Sequence, residues 1–127
     1  MTPAIDGFTL RKGDSYLWNL SFDDGQTPAT PISIVGKTLT FTIKNFLDDP
    51  DEDAPVQVVT TFPDDADSLA GTGSVFVPHT ETQNLTPGQK VFYDFQLSYT
   101  DTLGRQHSQT LAAGTVKVDW EVTQTVP

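Results

Sequence analysis

The chain has 127 residues, with 17 acidic residues against 7 Lys and Arg, a formal net charge of −10 and no cysteine. This length suits one domain with its own core, and the lack of cysteine excludes disulfides and a thiol nucleophile. The acidic balance argues against nucleic acid as a partner, because basic patches dominate affinity for phosphate backbones, and it disfavours an anionic membrane surface.

Alternating apolar and polar residues predict the first strands. Residues 8–10 lead into residues 16–22, in which every second side chain is aromatic or aliphatic. A period of two is typical of a half-buried strand. Residues 37–44 repeat the pattern with threonines on the second face, and further strands are predicted at 56–62 and 73–78.

The second half of the chain predicts a helical turn at 80–85 and then a hairpin. Its strands, residues 91–99 and 105–122, flank a turn at 101–104 that ends in glycine. Small residues at 112–114 indicate a bulge or bend in the return strand.

About seven to eight strands with turns between them predict an all-β fold. We expect a single immunoglobulin-like antiparallel β-sandwich over residues 1–127, with its core in 8–122 and a short tail at 123–127. Trp18 and Trp120 fall on apolar faces of their strands, where core packing is favoured over a sugar-binding platform.

An acidic loop at 45–55 is the first candidate site. Its Asp49, Asp51 and Asp53 have the spacing that opens an EF-hand loop, but the sixth position is Ala54 rather than glycine. Like charges in a loop are usually simply solvated. We therefore predict no metal site and no cofactor; were calcium bound, these three carboxylates would be its candidate ligands.

Interface residues are the second prediction. Phe92 lies on the polar face of its strand, which suggests contact with a partner or burial beneath a loop. Exposed acids would face basic partners or solvent, and the candidate interface residues are Phe92, Asp48, Glu52, Asp64 and Asp65. On the same polar face, Asp94 is expected to pair across the strands with Arg105 or Lys117.

No catalytic residue is predicted. His79 and His107 are isolated and lack the spacing of a zinc site, and no nucleophile-elbow motif is present. A small hydrolase is an open alternative that would need two carboxylates facing each other in a cleft.

Three segments together resemble a known family. They are FTLRKGDSYLWNLSF, ISIVGKTLTFTIK and LTPGQKVFYDFQLSYTDTLGRQHSQTLAAGTVKVDWEVT, which span residues 8–123. The first has a Gly-Asp-Ser turn before an alternating strand, and the last has Pro-Gly and Asp-x-x-Gly turns. This pattern resembles the small immunoglobulin-like domain of tailed bacteriophages, including the N-terminal domain of baseplate upper proteins and related tail or fibre-attachment proteins.

The resemblance implies a non-enzymatic structural protein of a phage virion, in the tail, baseplate, neck or capsid decoration. It would be made in the bacterial cytoplasm, contact other virion proteins and form a homo-oligomer. The chain ends soon after the domain, which favours an accessory virion protein over a receptor-binding one. The alternative is a carbohydrate- or receptor-binding adhesion module, assisted by calcium. The start of the chain lacks a secretory signal pattern, and no apolar run suits a bilayer.

Overall fold

The computed structural model describes residues 10–119. Three features of the sequence analysis lie outside the described residues: the strand start at Phe8, the second tryptophan, Trp120, and the tail at 123–127. The described strands are β1 Leu10–Arg11, β2 Tyr16–Ser21, β3 Thr38–Lys44, β4 Val56–Thr61, β5 Thr72–Val77, β6 Lys90–Thr100 and β7 Gln106–Asp119. The helical segments are a 3₁₀ turn at Asp51–Asp53, α1 at Ala66–Leu69 and α2 at His79–Thr82.

The strands form two sheets, which confirms the all-β immunoglobulin-like sandwich. One sheet has five strands in the order β1-β7-β6-β3-β4, and the other pairs β2 with β5. The chain crosses between the sheets after β1, β2, β4 and β5, whereas β3–β4 and β6–β7 are neighbours within the five-stranded sheet. The predicted antiparallel arrangement is wrong at one edge, because β1 runs parallel to β7.

The core lies between the two sheets and follows the alternation of the strands. Leu39, Phe41 and Ile43 of β3 are fully buried, and they face buried residues of β2 and β5 such as Leu20 and Val75. At roughly 25 cal/mol per Å² of apolar surface, this buried set is the main stabilising contribution to the fold. Trp18 packs edge-on against Phe41 and Phe95, with ring centroids 5.2 and 5.8 Å away, so its predicted core role is confirmed.

The hairpin of β6 and β7 contains a bulge close to the predicted position. Phe95 pairs with Ala112, whereas the next residue, Gln96, pairs with Thr110, so Leu111 is the extra residue. The bulge turns Leu111 into the core, where it is buried. The small residues at 112–114 serve a second purpose, because a Cβ on Gly114 would lie 3.0 Å from the Tyr93 hydroxyl.

The short helices differ in how well sequence patterns indicate them. The predicted turn at 80–85 corresponds to α2, which begins directly after Pro78. Helix α1 was not predicted. Asp65 caps it, since its Oδ1 accepts a hydrogen bond from the Ser68 backbone N–H at 2.8 Å. Within residues 10–119, no helix has the length and apolar character needed to cross a bilayer.

Candidate binding groove

The outward face of the five-stranded sheet carries a groove, which we call the outer-face groove. The cross-strand register arranges its floor in three rows across β4, β3, β6 and β7, and the second row includes all four strands. The rows are Val59–Thr40–Gln96, then Gln57–Thr42–Asp94–Ala113, then Lys44–Phe92–Thr115. All of these side chains point away from the core, because they alternate with its buried residues along each strand.

The groove has a volume of about 750 Å³. Leu47 and Asp51, from the acidic loop that follows β3, also line it. The Lys44 ammonium at the end of β3 donates to Asp51 Oδ1 at 2.7 Å and so ties the loop to the sheet. This hydrogen bond and the nearby carboxylates raise the pKa of Lys44.

Asp94 occupies the middle of the floor. Within residues 10–119, no lysine, arginine or histidine nitrogen is in ion-pair contact with its carboxylate. The Gln96 side-chain amide donates to Asp94 Oδ2 at a long 3.4 Å. Partial burial raises the pKa of Asp94; the Lys44 charge opposes this rise and the Asp51 charge adds to it. The groove therefore holds a carboxylate with no ion-pair contact among the described residues, on which the Lys44 charge acts from the adjoining row.

The rest of the lining is neutral and includes exposed apolar side chains. Leu47 and Val59 are 72% and 61% exposed, and Phe92 is partly buried between its neighbours in the third row. Gln57 donates to the Thr42 hydroxyl at 3.3 Å across the second row. A ligand in the groove would meet apolar surface, hydroxyl and amide groups, the Lys44–Asp51 ion pair and the Asp94 carboxylate.

The predicted interface residues separate into two regions. Phe92 lines the groove, and Asp48 and Glu52 lie exposed on the acidic loop beside it. Asp64 and Asp65 lie at the start of α1, where Asp65 is engaged as the helix cap.

The three candidate calcium ligands, Asp49, Asp51 and Asp53, have different contacts. Asp51 binds Lys44, and Asp49 Oδ2 accepts from the Phe46 backbone N–H at 3.2 Å. Asp53 lies exposed in the 3₁₀ turn. The described residues contain no group of three or more histidines and acids arranged to hold a metal ion.

Two carboxylates, Asp94 and Asp51, line the same groove, the feature that a hydrolase would need. Their surroundings differ. The Asp51 side chain is 73% exposed and bound to Lys44, whereas Asp94 is partly buried.

A second cluster of charged residues lies at the tip of the β6–β7 hairpin. Asp101 Oδ2 accepts from Arg105 Nε at 2.8 Å and lies 2.8 Å from His107 Nε2. These hydrogen bonds, first that of His107, lower the pKa of Asp101 to about 2. Tyr99 stacks on the His107 ring at 4.8 Å, and Lys37 lies 4.3 Å from the centroid of the Tyr99 ring.

The tip cluster corrects one prediction. Arg105 is the partner of Asp101 rather than of Asp94, because it directly follows the tight turn that Asp101 begins. Lys117 pairs in register with Lys90, two rows away from Asp94. The expected pairing of Asp94 with either base is therefore wrong.

Most groove residues were not singled out from the sequence. Lys44, Thr42, Gln57 and Gln96 carried a usable signal, since each occupies the polar parity of its strand. What the alternation alone does not provide is the cross-strand register that places them in adjoining rows.

Comparison with known proteins finds no protein-family model and no curated protein that matches the chain.

Proposed function

We propose that this domain is a non-enzymatic structural protein of a tailed-phage virion, which acts by docking against other virion subunits. The observation that carries the docking role is the outer-face groove. It combines a concave shape of about 750 Å³ with exposed apolar side chains on an otherwise polar sheet face. Such a surface gains stability when a partner covers it.

The sheet also offers an open edge beside the groove. Within residues 10–119, strand β4 pairs with β3 on one side only, and Val59 projects from it at 61% exposure. Unpaired backbone groups along an edge strand can extend the sheet into a neighbouring chain. A partner that follows this edge would bring its side chains over the adjoining groove.

The virion assignment is supported by the motif resemblance together with the sandwich fold. The Gly-Asp-Ser turn and the β6–β7 hairpin, which carry that resemblance, both form turns and strands of this fold. Virion proteins are present in several copies, so we expect a symmetric homo-oligomer in the particle. The localisation that follows is the phage particle, after synthesis in the bacterial cytoplasm.

A carbohydrate- or receptor-binding module is the second candidate. It is favoured by an aromatic ring, Phe92, on the same face as the carboxylate and amide of Asp94 and Gln96. Sugar rings stack on aromatic faces while carboxylates and amides accept or donate to their hydroxyls. Glycan-array binding or a calcium-dependent rise in melting temperature would distinguish this candidate.

Immunogold electron microscopy tests the virion assignment. An antibody raised against this chain is applied to particles purified from the source of the gene, with pre-immune serum as the control. The proposal predicts gold label at a fixed location on the tail, neck or capsid. Unlabelled intact particles, with the chain detected free in the same lysate, would contradict it and favour the second candidate.

A further inference from the structure

We propose that the outer-face groove receives an arginine side chain from a partner protein, with the guanidinium bound to Asp94 and stacked against Phe92. The proposal rests on the docking function and names the chemistry of its partner. Three features of the groove support it: a carboxylate with no ion-pair contact among the described residues, an adjoining aromatic ring and the position of the lysines of this chain.

The negative charge of Asp94 favours a partner group that carries a positive charge. Its row neighbours Thr42 and Ala113 are neutral, and so is the Gln96 side chain two residues further along β6. Lys44 lies in the next row, but its ammonium forms an ion pair with Asp51 Oδ1 at 2.7 Å. A partly buried carboxylate without an ion-pair contact favours a ligand that brings positive charge, because burial has already removed part of the carboxylate's hydration.

Phe92 favours arginine over lysine. It precedes Asp94 by two residues on the same strand face, which places the two side chains about 7 Å apart. A planar guanidinium can lie over an aromatic ring while its N–H fork donates to a carboxylate at the edge. An ammonium is a strongly hydrated point charge and gains less from such a site.

Two other lysines of this chain lie on the same sheet face but at a distance from Asp94. Lys90 and Lys117 pair with each other on the same sheet face, beyond Phe92. Four residues of strand, about 13 Å, separate Lys90 from Asp94. These two lysines are too distant to neutralise Asp94. They would repel a second basic group of the partner at their end of the groove, and this repulsion would orient the partner.

A neutral sugar fits the groove less well. Its hydroxyls could bond to Asp94 and Gln57, and its ring could cover Phe92. It would nevertheless displace water from the carboxylate without supplying a counter-charge, and leaving a buried charge unpaired is costly. The acidic loop beside the groove, with Asp48 and Glu52 exposed, adds to the attraction for a basic segment.

An NMR titration of the full chain tests the proposal. The probe is Nα-acetyl-arginine amide, and the matched probe is the citrulline analogue, which keeps the shape but lacks the charge. We expect saturable shifts of the backbone amides of Thr42, Phe92, Asp94 and Gln96 with arginine, weaker shifts with the lysine analogue and none with citrulline.

Variants locate the binding. Asp94→Asn should weaken arginine binding at least about tenfold, and Phe92→Leu about threefold. Asp67→Asn removes the same charge from α1, outside the groove, and should leave the affinity unchanged. In each variant, the amide signals of residues outside the groove should overlay on those of the parent chain. This overlay would show that the variant keeps the fold.

Equal shifts with arginine and citrulline, or retained binding in Asp94→Asn, would overturn the proposal. A site that shifts with oligosaccharides and not with arginine would assign the groove to the second candidate function. The outcome is separable from the virion assignment. Labelled particles without arginine binding reject this inference alone, whereas arginine binding with unlabelled particles rejects the virion assignment alone.

Discussion

Lys44 donates to Asp51 Oδ1 at 2.7 Å, although Lys44 lies only one row away from Asp94 on the same sheet face. Lys44, a residue of the groove floor, thus ties the acidic loop to the sheet. Within residues 10–119, no basic side chain forms an ion pair with Asp94, and Leu47 and Asp51 of the loop line the groove. This ion pair therefore joins two residues that line the groove and engages the lysine one row from Asp94.

The first prediction concerns the pKa of Asp94. Because the Lys44 charge lowers this pKa, the substitution Lys44→Met should raise it further. Carboxyl ¹³C shifts followed by NMR across a pH titration measure the change. Lys90→Met is the control, since Lys90 lies two rows away, and it should leave the titration of Asp94 nearly unchanged. A fall in the pKa of Asp94 in Lys44→Met would contradict this account.

The second prediction concerns the stability cost of Asp94. Burial raises its folded-state pKa above the ordinary value of 3.8, so the charged form is disfavoured by folding. The cost is absent well below pH 3.8 and appears as pH rises through the folded-state pKa. Asp94→Asn should therefore raise the melting temperature at pH 7 by about 1–3 °C, with the gain shrinking below pH 4. A lower melting temperature at pH 7 would show that Asp94 stabilises the fold.

The third prediction has the opposite sign and concerns Asp101. Hydrogen bonds from His107 and Arg105, together with backbone N–H groups, lower its pKa to about 2. Its contribution to stability is present above pH 3.8 and is lost as pH falls toward 2. Asp101→Asn should destabilise the domain at pH 7, and the difference from the parent chain should vanish near pH 2. Paired urea unfolding curves at several pH values measure this; a difference that does not depend on pH would contradict the role of the charge.

The fourth prediction compares two glycines with similar backbone angles. Gly71 and Gly25 have φ of +79° and +74°. A Cβ on Gly25 would meet nothing within 4 Å, whereas one on Gly71 would lie 2.6 Å from the Phe22 carbonyl oxygen and 2.7 Å from that of Ile32. Gly25→Ala should cost about 1–2 kcal/mol from backbone strain alone, and Gly71→Ala clearly more. Chemical denaturation measures both, and equal losses would contradict the close approach.

The sequence was informative where one side chain decides one local structure. Alternation placed Tyr16, Trp18 and Leu20 on the core side of β2, and the glycine at position 104 closed the hairpin with φ of +79°. The sequence was less informative where the structure depends on which strands pair with each other. The parallel edge of β1 and β7 depends on which strand lies beside which, and strand periodicity is the same in both orientations.

The candidate groove shows the same division. The parity of Phe92 correctly set it apart from the core, because parity is a property of one strand. The partner of Asp94 was predicted wrongly, because Arg105 had a nearer acid across the turn and Lys117 lies in another row. Cross-strand register and loop placement, which bring Asp51 to Lys44, come from tertiary packing and leave no local pattern.

Cysteine alkylation on assembled particles tests the central claim, docking through the outer-face groove, most directly. The chain has no native cysteine, so Gln57→Cys in the groove and Gln83→Cys after α2 each give a single reporter. Maleimide labelling rates are compared between particles and the free chain. We predict that Gln57→Cys reacts at least about tenfold more slowly in particles while Gln83→Cys keeps its rate. Equal rates for Gln57→Cys in both states would show that the groove is open in the particle and would contradict the account.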